Sequence, residues 1–144
     1  MLYLTKNQGY TGEVSLHRVQ NDWGQGMSYA TGGSGAPADL DDATWLNTFY
    51  PDLLWSTMGG DYAIDASEVL TVGPDKGSYT WESRNMVQDV QSWLINPDEN
   101  FGWMLIGDED IPQSVMAFSS RETTCSDKPL PSELLPPILM VTYK

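Results

Sequence analysis

The sequence predicts an all-β fold, a β-sandwich carrying one short amphipathic helix at about 83–95. Three observations predict it. Thirteen Gly and nine Pro are spread along the chain as turn punctuation rather than gathered into linkers. Short alternating or wholly apolar runs recur at the spacing of a sandwich. Only one stretch has a helical period. The 144 residues suit a single β-sandwich domain, 1–144, and six Trp with seven Tyr at 40% hydrophobic content exclude a disordered tail.

In chain order, "LYL" (Leu2 to Leu4) is a short strand ended by "KNQG". "EVSLHRV" alternates: Val14 and Leu16 face one way, Glu13, Ser15 and His17 the other. The Gly-rich, acidic "NDWGQGMSYATGGSGAPADLDDATW" is a long excursion between strands. "LLWSTMGGDYAI" carries a Gly-Gly turn, and "SEVLTV" and "SYTW" are strands separated by "GPDKG". The helix follows. Ser83 can accept an orphan amide as N-cap, and Met86, Val87, Val90, Trp93 and Leu94 form one apolar stripe, with Gln88, Asp89, Gln91 and Ser92 on the wet face. Pro97 stops it. "FGWMLIG" reads as a central strand covered on both faces, and "SVMAFSS" and "ILMVTY" as two more strands. The loop "SDKPLPSELLPP" between them holds four of the nine prolines. Trp81, Trp93 and Trp103 are assigned to the core, where the helix stripe meets its flanking strands.

A formal net charge of −13 repels phosphate backbones, so nucleic acid is excluded as a partner and an anionic membrane surface is disfavoured. No run reaches the roughly 18 apolar residues of a membrane span, so membrane insertion is not expected. The opening "MLYLTKNQGYTG" is too short and polar for a signal peptide. Cys125 is the one cysteine; it has no partner for a disulfide or a thiolate metal site and reads as a bystander.

No catalytic constellation stands out. His17 is the one histidine and sits in a strand pattern, and "GGSGAP" lacks the strand-to-helix setting of a nucleophile elbow. Asp108, Glu109, Asp110 and Glu122 suit turns and ion pairs better than proton transfer. Calcium is the one cofactor the sequence offers: Asp39, Asp41 and Asp42 could supply oxygen ligands, though the EF-hand spacing is absent and a solvated acidic loop is the alternative. Sugar rings stack their C–H faces on exposed aromatics. The candidates are Trp45, Tyr50 and Trp55 in irregular structure, then Trp23 and Tyr29 flanking "GQGMS". Loop aromatics also serve as anchors that fold back under cover.

The residues Trp23, "ATW" at 43–45, "YTW" at 79–81, "MVQDVQSWL" at 86–94, "P..N.GW.L.G.E" at 97–109, "F.SRE" at 118–122 and "P.L.VTY" at 137–143 come in a recognisable order. From Leu2 to Tyr143 the chain resembles the DNRLRE-type domains of bacteria and archaea. That resemblance implies a jelly-roll module related to carbohydrate-binding modules, extracellular or at the cell surface as part of a longer chain. It also implies that the family's first strands are absent before "LYL", an N-terminal truncation. The exposed sheet edge would then be filled by another chain, through a homo-oligomer or strand exchange, or by rearranged sheets. The loop after "SRE" is longer than the family's. Three functions follow: a non-catalytic module that binds polysaccharide or adheres, a structural spacer or assembly domain, and, less favoured, a polysaccharide-cleaving enzyme using two carboxylates.

Overall fold

The computed structural model describes residues 1–28, 35–108, 110–112, 114–121 and 135–143. Within them the elements are β1 (Leu2–Gly9), β2 (Gly12–Arg18), β3 (Asn47–Phe49), β4 (Leu53–Leu54), β5 (Glu68–Val72), β6 (Gly77–Trp81), α1 (Arg84–Ile95), β7 (Trp103–Gly107), β8 (Met116–Phe118) and β9 (Ile138–Leu139). The fold is a β-sandwich of antiparallel sheets with one short helix, as the sequence predicts. The chain divides into two compact units, one of Met1–Leu16, Ala66–Val90 and Leu105–Lys144, the other of His17–Asp65 and Gln91–Met104.

In the first unit β1 is the middle of a sheet ordered β6-β1-β8, and β9 pairs with the start of β1. Leu2 faces Trp81 across one ladder, while Gly9 faces Met116 across the other. The second sheet is ordered β5-β2-β7, with Gly12 opposite Val72 and Leu16 opposite Glu68. Period-2 alternation does what a half-buried strand requires: Val14 and Leu16 are buried, while Ser15 is half-buried. β1 runs on to Gly9, beyond the strand read at Leu2 to Leu4, because it is laddered on both sides. Lys6 is therefore buried, and its Nζ donates to the carbonyls of Tyr10 and Gly73, each at 2.6 Å. These bonds satisfy an ammonium that would otherwise be costly to desolvate.

Trp81 closes the core of this unit. It is fully buried and edge-on to Phe118, with ring centroids 6.0 Å apart. Its Nε1 donates to the Val14 carbonyl at 3.1 Å, tying β6 of one sheet to β2 of the other. A buried indole removes roughly 150–250 Å² from water, worth about 4–6 kcal/mol before entropy is subtracted.

Ser83 caps α1 as expected: its Oγ accepts from the Met86 amide at 3.0 Å and its hydroxyl donates to the Ser67 carbonyl at 2.6 Å. The buried stripe is narrower than the five residues read from the sequence. Met86 and Trp93 are buried, but Val87 and Leu94 are exposed, Leu94 to 75%. The reason is polar. Asp89, expected on the wet face, is half-buried and accepts the Ser67 hydroxyl proton at 2.6 Å. That bond sets the rotation of the helix, so Met86, Asp89 and Val90, and Trp93 point inward, and residues about 100° away point out. A second correction concerns β7. It ends the β5-β2-β7 order instead of lying centrally, and Leu105 is exposed. No helix among the described residues is long and apolar enough to cross a membrane.

Candidate functional site

In the second unit, two carboxylates knot the irregular chain. Asp42 is buried; its Oδ2 accepts from the Asp39 amide at 2.7 Å and its Oδ1 from the Ser28 amide at 3.3 Å. The Asp39 amide is the main reason its carboxyl titrates below the usual range. Burial alone would raise the Asp61 carboxyl, but the amides of Ser56 and Thr57 and the Asn21 side chain outweigh it and hold it low.

Between these knots a serine/threonine turn presents Trp45. Thr44 Oγ1 accepts from the amides of Leu46 and Asn47, at 3.1 and 2.9 Å, and donates to Asn47 Oδ1 at 3.0 Å. The turn leaves Trp45 61% exposed. Trp55, just past β4, folds back beneath the same turn and is only 8% exposed; its Nε1 donates to the Thr44 carbonyl at 2.9 Å. Trp23, 42% exposed, is locked by a 2.8 Å bond from Nε1 to the Phe101 carbonyl. Trp103, at the head of β7, is packed edge-on by Trp93 at 4.5 Å between centroids. The buried Nε1 of Trp93 has no hydrogen-bond acceptor among the described residues.

Trp23, Trp45, Trp55 and Trp103 line one groove of about 370 Å³, with Val19 and Met104 among its other walls. That is within the size range of small-ligand sites. Gly59 seats the exposed ring. It holds φ +93°, and a Cβ built on it would lie 2.9 Å from Cη2 of Trp45. Its amide also donates to the Trp45 carbonyl at 2.8 Å. Only glycine meets both conditions. Among the described residues, no titratable side chain lines the groove.

Three of the five predicted aromatics, Trp23, Trp45 and Trp55, thus meet in one place. Tyr50, 38% exposed, does not line the groove; its amide and carbonyl are tied to Asp42 and Asp41. Tyr29 lies outside the described residues, as do Glu109, Glu122 and Cys125. Trp103 is the lining indole that the sequence assigned to the core; its position within an apolar strand run disguises it. Asp39 and Asp42 spend carboxylate oxygens on the backbone amides of their own loop, Asp39 on Leu40. Among the described residues no three His, Cys, Asp or Glu side chains are grouped to hold a metal ion. His17 is half-buried in β2; its Nδ1 lies 2.8 Å from the Ala63 carbonyl, so that nitrogen carries the proton, and its ring is edge-on to Tyr62.

Compared with protein-family models, curated proteins and solved structures, the chain matches none.

Proposed function

We propose that this chain is a non-catalytic carbohydrate-binding or adhesive module of a longer secreted or cell-surface protein, and that the four-indole groove is its ligand site. The observation that carries this reading is the convergence of Trp23, Trp45, Trp55 and Trp103 on one groove that, among the described residues, no acid, base or thiol side chain lines. A sugar ring can lay its C–H face on the exposed indoles of Trp45 and Trp23 while its hydroxyls stay in water. Bonding Trp23 and Trp55 to backbone carbonyls fixes their rings before a ligand arrives, which limits the entropy lost on binding. The resemblance to DNRLRE-type modules supports the same reading. So does the nested pairing of β1 with β8 and of β2 with β7, which suits a jelly roll.

A spacer or assembly role is the second reading. It is favoured by the burial of Trp55 and by the exposed apolar run Ile138 to Val141 around β9, where another copy could add a strand.

Titrating intrinsic Trp fluorescence with neutral oligosaccharides derived from cellulose, xylan, mannan and galactan tests the proposal. Calcium and chelator arms are included because the Asp39–Asp42 loop leads directly into Ala43 and Thr44 of the groove. A saturable change that is lost in Trp45→Ala is the expected result. No response to any glycan leaves the spacer reading ahead.

A further inference from the structure

Below its lip the groove is lined mainly by indole, aliphatic and thioether side chains, and several of its polar groups are already committed. The N–H groups of Trp23 and Trp55 are spent on the carbonyls of Phe101 and Thr44. The Thr44 hydroxyl is already engaged three times within its own turn. Val19 and Met104 add aliphatic and thioether surface. A hydroxyl pushed in against these committed groups would lose water without gaining a partner from them, at a cost of about 1–3 kcal/mol. Sugar rings therefore belong on the lip and not inside.

The interior suits a different group. Indole faces carry negative potential and attract cations, Trp most strongly of the aromatic side chains. A cation that needs no hydrogen-bond acceptor loses little on leaving water for such a cage. The chain's net charge of −13 concentrates cations around the molecule, while among the described residues no lysine, arginine or histidine lines the groove to oppose them. Anionic sugars are disfavoured by the same field.

We infer that the groove formed by Trp23, Trp45, Trp55 and Trp103 is a cage for a methylated ammonium group, trimethylammonium being the best fit, presented either as a free solute or as a substituent on a polysaccharide. This rests on the reading of the groove as the module's ligand site. It does not require the sugar itself to be recognised.

The test uses the full chain at constant ionic strength, with Trp fluorescence as readout and four probes: choline, its uncharged isostere with carbon in place of nitrogen, dextran, and dextran bearing trimethylammonium groups. Choline should bind about tenfold or more tightly than the isostere, since a desolvated cation–π contact reaches that size. Trp45→Ala should weaken choline about threefold to thirtyfold, with Trp45→Phe in between. Trp45 is an exposed lip residue, so these variants keep the core intact. Tighter binding per group on substituted dextran, persisting at high salt, identifies the polymer as the source; equal affinity per group identifies the free solute. Equal binding of choline and the isostere would reduce the groove to a greasy cleft and overturn the inference, as would no choline binding at all. Neutral glycans binding while choline does not would sink the inference and leave the carbohydrate reading standing. Choline binding with no glycan response would do the reverse.

Discussion

Replacing Gly59 with alanine probes how the groove is built. At φ +93° any L side chain is strained, which costs about 1–2 kcal/mol. The new Cβ would also sit 2.9 Å from Cη2 of Trp45, inside the closest approach that carbon atoms accept. Overpacking costs about 1–3 kcal/mol, and the lower figure applies because the Trp45 ring is largely exposed and can swing away. The sum, about 2–3 kcal/mol, should shift a urea midpoint by on the order of 1 M. Gly102→Ala is the matched control: φ is +80°, with nothing within 4 Å of its would-be Cβ, so it carries backbone strain alone, about 1–2 kcal/mol. Both variants should lose stability, but only Gly59→Ala should change Trp45 emission and weaken ligand binding. If the two variants lose equal stability and keep equal emission and affinity, Gly59 does not seat the ring and the reasoning is wrong.

Two further outcomes can be checked by urea unfolding. Ser83→Ala removes both the cap on the Met86 amide and the bond to the Ser67 carbonyl, and should cost about 1–2 kcal/mol; a loss below a few tenths would contradict the capping role. The folded-state pKa of Asp61 lies below its unfolded value near 3.8, so its contribution to stability is fully present above that value and is lost as pH falls through the folded pKa. Asp61→Asn should flatten the acid limb of stability against pH, and coincident limbs for the two proteins would show that Asp61 contributes nothing there.

Much of the sandwich is legible because its signals are local. Alternation at Val14 and Leu16, the Ser83 cap and the apolar period of α1 each lie within a few residues, and each fixes its element. What the sequence misses depends on distant partners. Nothing near Asp89 announces Ser67, yet that bond turns the helix and exposes Val87 and Leu94. The Gly59–Gly60 pair reads correctly as a turn, but its task of seating Trp45 is visible only when the ring is beside it. Trp23, Trp45 and Trp55 are picked out because aromatics in loops have fewer core duties. Trp103 sits in a strand-like run that disguises it, and Tyr50 is drawn away by its backbone bonds to the Asp41–Asp42 loop. The division into two units, each assembled from separated segments, has no local signature.

The claim on which the rest depends is that four of the six indoles form one binding surface while Trp81 serves only the core. Heteronuclear NMR of the indole N–H resonances during titration with choline and with the neutral oligosaccharides tests it most directly. The account predicts that the signals of Trp23, Trp45, Trp55 and Trp103 move together and saturate while that of Trp81 stays still. Movement of Trp81 without the other four, or six unmoved signals with every probe, would contradict it.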